Sequence, residues 1–370
     1  MEFDIFFSIC QTDVHGYLPD EATMFRNFFE QVELADELGF GTAWVAESHL
    51  STEIQKMNPG AVIPHFVGEI GLNTDILQLG HRVFARTRRI GIGSAIMNIL
   101  CNGGPIAAAE RVKTFLALHG LDPEERRLLT VGFAAGRFPF INVPYGIVPR
   151  DEFEQAHWPA VKNKTFEEAT EIFLRLLKGE VLNSEMIAPR FIDGTRLAPR
   201  WVFPNLKIIP QEPRMDLLRL SIGSHDPGVQ AFANTILPVG VFNLSITPGD
   251  EIEKTNERML TEYQGTWHRR LMPRTVLVFI ADDPKQAADE ARDALSNYWR
   301  ALEGTLDEEK VRRATNNALV GDAETIAAQM RGRFHPEDRL MLWFDFNNHD
   351  SKRVMKNMSD FMLRVVPWFS

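Results

Sequence analysis

Short apolar runs alternate along the chain with longer segments in which apolar residues recur every three or four positions. The first run, Phe3–Ile9, predicts a β-strand, and the helical spacing after it predicts a helix over residues 21–38. Asp20 can cap the start of that helix, and Gly39 stands where glycine commonly ends a helix. The next run, Thr42–Ala46, predicts a second strand, so the chain opens with a strand, a helix and a strand.

The same alternation continues to the end of the chain. Further strands are predicted at Ile90–Ile96, Leu128–Ala134, Leu217–Ile222, Val239–Phe242, Thr275–Ile280 and Leu340–Phe344. Further helices are predicted at Asp75–Ala85, Pro105–His119, Phe166–Lys178, Gly228–Asn234, Gly249–Glu262, Pro284–Leu302, Ala323–Gly332 and Arg353–Val365. About eight strands, each followed by a helix, favour an α/β fold whose parallel sheet closes into a (β/α)8 TIM barrel. An open doubly wound sheet is the structural alternative.

The length of 370 residues fits a single barrel domain over residues 1–370, with insertions in its βα loops. The irregular, proline-rich stretch 181–213 is predicted to be such an insertion, and it could contain a hairpin. Residues 48–73 and 136–159 are predicted to be long loops. We expect the first of these loops and the insertion to form the mouth and lid of a site, where specificity would reside.

The charge of the chain narrows the range of its partners. With 40 Lys and Arg residues against 50 Asp and Glu residues, the formal net charge is −10, which argues against general nucleic-acid binding. Two cysteines, Cys10 and Cys101, are too few for a disulfide framework and fit a reducing compartment. The first residues, MEFDIFFSIC, lack the positive charge of a signal peptide, and no stretch approaches the roughly 20 apolar residues that span a membrane. We therefore expect a cytoplasmic protein that binds neither nucleic acid nor membrane.

Several motifs that would identify a reaction are missing from the sequence. The chain has no HExxH zinc motif, no GxxxxGK[ST] phosphate loop, no complete GxGxxG and no GxSxG nucleophile motif. Its ten histidines show no metal-ligand spacing, so no metal is expected. Metal ligands scattered over different strands would escape such a search by spacing.

Barrel enzymes place their sites at the carboxyl ends of the strands, so the residues after each predicted strand are the candidates. These residues are Ser8, Cys10, Gln11, Glu47, Ser48, His49, Ser94, Ala95, Asn98, Ala135, Gly136, Arg137, Ser224, His225, Asp226, Asp345, Asn347 and His349. Polar βα loops are common in any protein, so position alone does not select among them.

Four blocks of the chain resemble, in order and spacing, the sequences of luciferase-like monooxygenases. Residues 34–50 (LADELGFGTAWVAESHL) resemble the family's second strand and the glutamate–histidine motif that follows it. The other blocks are 88–110 (RRIGIGSAIMNILCNGGPIAAAE), 130–146 (TVGFAAGRFPFINVPYG) and 318–330 (ALVGDAETIAAQM). The pattern at Val365–Pro367 is also typical of the family.

This resemblance implies a (β/α)8 barrel that binds reduced FMN at its mouth or, in one branch of the family, a reduced deazaflavin. The leading hypothesis is a two-component monooxygenase, which receives reduced FMN from a separate flavin reductase and oxidises a small, apolar organic substrate with O2. The alternatives are a deazaflavin-dependent dehydrogenase or reductase on the same barrel, and a catalytically silent flavin-binding relative. The resemblance also implies a homodimer.

The resemblance assigns candidate catalytic residues to the end of the second strand. Glu47 matches the family's glutamate, but Ser48 replaces the catalytically important first histidine. The second histidine, His49, is present and could carry a proton, because the ordinary pKa of imidazole suits such work. The alternative is a loop histidine whose hydrogen bonding is satisfied by Glu47.

The resemblance also assigns candidate cofactor-binding residues, which follow the third, fourth and fifth strands. They are Ser94, Ala95, Asn98, Gly136, Arg137, Ser224 and His225. The family often carries a non-proline cis peptide beneath the flavin ring, and the matching residues are 94–96. Arg137 is a candidate phosphate ligand, although the family's arginine aligns with Ala135; Arg137 could instead pair with a carboxylate. Ser224 resembles a family serine that precedes a phosphate-binding helix start, with an ordinary N-cap as the alternative.

Overall fold

The computed structural model describes residues 1–243, 247–263, 266–303, 308–315 and 318–369. Its strands are β1 (Glu2–Phe7), β2 (Gln11–Thr12), β3 (Thr42–Val45), β4 (Gly68–Glu69), β5 (Gly91–Asn98), β6 (Leu129–Ala134), β7 (Phe191–Ile192), β8 (Thr195–Arg196), β9 (Leu218–Ile222), β10 (Gly240–Val241), β11 (Arg274–Ile280), β12 (Leu319–Gly321) and β13 (Arg339–Trp343). Its α-helices are α1 (Glu21–Leu38), α2 (Thr52–Gln55), α3 (Ile76–Phe84), α4 (Gly104–His119), α5 (Pro139–Asn142), α6 (Glu152–Ala156), α7 (Trp158–Leu177), α8 (Pro227–Ile236), α9 (Gly249–Glu262), α10 (Pro284–Leu302), α11 (Glu308–Thr315), α12 (Ala323–Arg333) and α13 (Ser351–Asp360).

The chain forms two compact units, and the boundary between them falls within β5. Unit 1 comprises residues 1–95 and 242–370, and unit 2 comprises residues 96–241. In unit 1 the parallel strands follow the order β5, β3, β1, β13, β11 and β12, with Ile5 opposite Ala43 on one side of β1 and opposite Leu342 on the other. Residues 4–7 of β1 are all buried, as expected for a parallel strand that is covered on both faces.

Unit 2 carries the last residues of β5 and the parallel strands β6, β9 and β10 in that order. Helices α4, α7 and α8 belong to the same unit, and α7 contacts both of the others. The ring centroids of Phe133 in β6 and Phe173 in α7 lie 5.3 Å apart, so α7 packs onto the sheet through aromatic side chains.

Eight strands of the large parallel sheet are each followed along the chain by a helix. The pairs are β1–α1, β3–α3, β5–α4, β6–α7, β9–α8, β10–α9, β11–α10 and β13–α13. Asn243, which follows β10, pairs in parallel with Arg274 at the start of β11. This order confirms the predicted (β/α)8 barrel, and β12 is an additional ninth strand that pairs with β11. A single domain over residues 1–370 with an insertion at 181–213 stays a prediction.

The differences from the predicted elements have local causes. Helix α7 begins at Trp158 rather than near Phe166, because Pro159 lies in its first turn, where proline is tolerated. The loop 48–73 contains α2 and β4, and β4 pairs antiparallel with β2. The predicted hairpin in the segment 181–213 is present as β7 and β8. Within the described residues, no helix combines the length and the apolar character needed to cross a membrane.

Candidate active site

In unit 1, the end of β3 places a carboxylate and an imidazole in a buried cluster. The Oγ of Ser94 in β5 donates a hydrogen bond of 2.8 Å to Oε2 of Glu47. Nε2 of His49 lies 3.8 Å from Oε1 of Glu47, an ion-pair distance that is too long for a hydrogen bond. The side chains of Glu47 and His49 are only 2% and 5% exposed. Two of the three predicted catalytic residues and one predicted cofactor residue therefore come together because β3 and β5 are parallel neighbours.

The remaining predicted residues of unit 1, Ser48 and Ala95, are also buried. The backbone N–H of Ser48 donates to the carbonyl of Asn73 at 2.7 Å. Its hydroxyl has no hydrogen-bond partner among the described residues. The expected cis peptide at residues 94–96 is wrong: in the described part of the chain the cis bond is Ile209–Pro210, a proline bond.

A second buried acid, Asp345, follows β13 in the same unit. Its Oδ2 accepts hydrogen bonds from the backbone N–H of Ser8 at 3.4 Å and from the Ser8 hydroxyl at 3.3 Å. Its Oδ1 is buried and has no partner among the described residues. Burial raises the pKa of Asp345 to about 6, so this carboxyl changes charge close to neutral pH.

Burial shifts the pKa values of two further groups near Asp345 in the direction that favours their neutral forms. Burial, together with the negative charge of Asp345, raises the pKa of the Cys10 thiol. Burial lowers the pKa of His349, whose Nε2 donates to the carbonyl of Thr12 at 2.6 Å. Asp345 and His349 line one small cavity beside Phe28 of α1. Both residues follow a predicted strand, but only their environment in the fold distinguishes them from the other strand-end residues.

Three strand ends of unit 1 carry a residue other than glycine in the left-handed region of the backbone. These residues are Ile9, Leu50 and Asn347, with φ of 43°, 63° and 48°. Each such residue costs about 1–3 kcal/mol and persists only where the surrounding structure enforces it, which is common at functional sites. The same conformation occurs at His15, Ile63, Asn102 and Asp193, so it does not by itself locate the site.

In unit 2, the end of β6 is shaped by Gly136, whose φ is +74°. A Cβ at Gly136 would lie 2.2 Å from Nδ2 of Asn98, so only glycine fits there. The same Nδ2 donates to Oδ1 of Asn142 at 2.8 Å, and Nδ2 of Asn142 donates to the carbonyl of Ala135 at 3.0 Å. The predicted residues Asn98 and Gly136 are thus in contact, and Asn142, which the sequence did not indicate, holds them together.

Two cations accompany this turn. Nζ of Lys162 donates to the carbonyl of Gly136 at 3.1 Å, and burial lowers the pKa of this lysine. Arg137 is exposed, with its guanidinium carbon 5.2 Å from the ring centroid of Phe138. Within the described ranges, neither cation pairs with a carboxylate, so the alternative of a structural ion pair at Arg137 is not observed. The turn after β6 therefore suits an anion.

The start of α8 is less suited to an anion. Oδ1 of Asp226 accepts from the backbone N–H groups of Gly228 and Val229 at 2.8 and 3.3 Å, so Asp226 caps the helix. Ser224 is not the cap, since its hydroxyl accepts from the N–H of Asp226 at 3.2 Å. His225 is exposed beside it. A phosphate here would compete with the carboxylate of Asp226 for the same donors.

The part of the chain that the structure describes contains no group of three His, Cys, Asp or Glu side chains that could hold a metal ion. The polar residues at the strand ends thus form two sets. The set in unit 1 consists of acids and imidazoles that can hold and move protons. The set in unit 2 consists of cations and amides that can bind an anion.

Comparisons with known proteins show the family and the fold of the chain. The model of the luciferase-like monooxygenase family matches residues 1–336. The structure of the monooxygenase RslO1 from Streptomyces bottropensis is 18% identical, with full coverage of both chains and a TM-score of 0.71. The oxygenating constituent of 3,6-diketocamphane monooxygenase from Pseudomonas putida, in complex with FMN, is 13% identical over 99% of this chain and 98% of that one, with a TM-score of 0.63.

A third similar structure is an F420-dependent secondary alcohol dehydrogenase in complex with an F420-acetone adduct. It is 14% identical, with a TM-score of 0.59 over 100% of this chain and 99% of that one. No curated protein sequence matches the chain. At these identities, the likeness to the solved structures shows the fold alone.

Proposed function

Because the chain belongs to the luciferase-like monooxygenase family, whose members are flavin-dependent oxidoreductases, we propose that it is the oxygenase component of a two-component monooxygenase. In this proposal it receives reduced FMN from a separate reductase and uses O2 to oxidise a small, apolar organic substrate. The FMN complex of the diketocamphane oxygenating constituent, which shares the fold, supports FMN as the cofactor. A homodimer, as the resemblance implies, and a cytoplasmic location, as the cysteine content and the N-terminal residues indicate, are part of the same proposal. Sedimentation of the purified chain tests the dimer.

The residues of unit 2 fit the anionic end of FMN. Lys162 and Arg137 supply positive charge, and no described carboxylate neutralises either of them. The backbone at Gly136 approaches closely because it has no side chain. When bound, reduced FMN would supply the electrons that activate O2, a reaction for which amino-acid side chains have no equivalent.

The observation that carries the proposal is the buried cluster of Glu47, His49 and Ser94 in unit 1. A carboxylate and an imidazole that are almost fully removed from water can hold a proton at Nε2 of His49 and pass it to a reacting group. Exclusion of water also protects reactive oxygen chemistry from side reactions. Burying these groups costs stability, which argues against a catalytically silent relative.

The second candidate is a deazaflavin-dependent dehydrogenase or reductase. It is favoured by the fold shared with the F420-dependent secondary alcohol dehydrogenase. In that case a hydride would pass between the deazaflavin and the substrate, and His49 would exchange the hydroxyl proton of an alcohol. This reaction consumes no O2.

Anaerobic titration of the purified chain with reduced FMN and with a reduced deazaflavin separates the two candidates. We expect binding of reduced FMN and, on admission of air, O2 consumption that depends on an apolar substrate. Binding of the deazaflavin without O2 consumption would replace the proposal by the second candidate. Binding of neither cofactor would reject both.

Replacing the proposed proton carrier tests the mechanism. We expect His49→Gln to retain binding of reduced FMN while lowering substrate-dependent O2 consumption about 100-fold, the usual contribution of a positioned acid–base group. His268→Gln is the control, because His268 is exposed and lies before β11, away from the carboxyl ends of the strands. An unchanged rate in His49→Gln would contradict the assigned role.

A further inference from the structure

Lys162 differs from the other lysine of α7 in its surroundings. Lys164 pairs with Glu167 at 2.7 Å, as a surface lysine on a helix commonly does. Lys162 is half-buried, and no carboxylate among the described residues pairs with it. Its Nζ meets one neutral acceptor, the carbonyl of Gly136 at 3.1 Å.

An ammonium group in this position is poorly compensated. It has three donors, of which one carbonyl accepts one, and removing an ammonium from water without a counter-charge is costly. The thiolate of Cys101 could offset the charge of Lys162. However, Cys101 is a neutral thiol at neutral pH, because burial raises its pKa to about 12. Burial also lowers the pKa of Lys162, as expected for an ammonium group that lacks a counter-charge. A bound anion would remove this deficit.

The location of Lys162 indicates where such an anion would bind. The carbonyl of Gly136 belongs to the peptide that leads to Arg137, so Nζ lies at the turn after β6, at the carboxyl end of a barrel strand. The start of α8, the other candidate in unit 2, is already filled by the carboxylate of Asp226. The turn after β6 thus has two cations and no described acid.

We propose that Lys162 binds the phosphate monoester of FMN and so determines the preference of the protein for FMN over riboflavin. This inference rests on the proposed function for the identity of the ligand. The inference adds Lys162, a residue of helix α7, to the candidate cofactor-binding residues, which the sequence predicts only at the ends of strands.

The ratio of the dissociation constants of riboflavin and FMN tests the inference, because the two flavins differ only in the phosphate. Calorimetry of the oxidised flavins gives both constants without turnover. We expect Lys162→Met to weaken FMN binding about 10–100-fold, the loss expected for a hydrogen bond to a charged group, and to change riboflavin binding less than about twofold. Lys162→Arg should restore most of the preference, and Lys164→Met should leave it unchanged.

A purely structural role of Lys162 gives a different result. If the side chain only holds the carbonyl of Gly136, Lys162→Met should lower the melting temperature of the ligand-free protein and weaken both flavins equally, which overturns the inference. We expect instead an unchanged or higher melting temperature, because a half-buried charge without a counter-charge has been removed.

The failure of the inference is distinguishable from failure of the proposed function. If the unaltered protein prefers FMN over riboflavin and Lys162→Met keeps that preference, the inference alone is rejected. If the unaltered protein binds neither flavin, the proposed function and the inference are rejected together.

Discussion

The turns that follow the strands of unit 1 and the turn after β6 in unit 2 differ in the charged groups that they contain or contact. Unit 1 has the buried carboxyl groups of Glu47 and Asp345, whereas unit 2 has the cations Lys162 and Arg137. Burial acts on both sets in the same way: it raises the pKa of Asp345 and lowers the pKa of Lys162, in each case favouring the neutral form. In the proposed function, the acids of unit 1 serve proton transfer and the cations of unit 2 serve anion binding.

At the opposite ends of the strands in unit 1, buried charged residues with a structural role are paired with residues of opposite charge. Arg274, the first residue of β11, pairs with Glu253 at 2.7 Å and with Asp338 at 3.3 Å. Arg269 also pairs with Asp338, at 2.7 Å. These cations have carboxylate partners, whereas Lys162 has none in the described chain. Buried charge without a counter-charge is therefore the better marker of a site.

The largest expected effect on stability concerns the shape of the turn after β6 in unit 2. We expect Gly136→Ala to lower the free energy of unfolding by about 4 kcal/mol, the sum of left-handed backbone strain and a forced shift of Asn98. Gly146→Ala is the control, since Gly146 has a φ of +75° but open space around it, and should cost about 1 kcal/mol. Urea unfolding measures both, and equal losses would show that contact with Asn98 does not shape the turn.

The charge of Asp345 gives the next largest effect. Because burial raises its pKa from 3.8 to about 6, the neutral acid stabilises the fold below pH 4, and this contribution is lost as the pH rises through about 6. We expect Asp345→Asn, which stays neutral, to increase the free energy of unfolding at pH 8 by about 3 kcal/mol. Near pH 4 the gain should vanish. The same gain at both pH values would mean that burial does not keep this acid neutral.

Much of the fold could be predicted from the sequence because its elements are marked by local signals. Helices α1, α9 and α10 have the predicted bounds, since a capping or turn residue stands at the start of each and an apolar period runs through it. The start of α7 was missed because Pro159 suggests a loop, while the first turn of a helix accepts proline. Strand β12 was missed because three residues show no periodicity.

The candidate site was less predictable, for a physical reason. The contact of Ser94 with Glu47 follows from the pairing of parallel strands, which fixes which strand ends are neighbours. The properties of Asp345 and Lys162 depend instead on burial and on missing counter-charges, which only the packed chain determines. Lys162 also lies within a helix, near the start of α7, where a search of strand ends does not look.

The smallest expected effect concerns the start of α8 in unit 2. Since Asp226 rather than Ser224 caps the helix, Ser224→Ala should change the free energy of unfolding by no more than about 0.5 kcal/mol, as for an ordinary surface substitution. The ratio of riboflavin to FMN dissociation constants should change less than about twofold, because the negative cap already holds the donors that a phosphate would need. A large fall in that ratio would move the anion from the turn after β6 to the start of α8. The carboxylate of Asp226 would then have to leave its cap when the phosphate binds, and Asp226→Asn, which keeps a capping oxygen without the charge, should strengthen FMN binding.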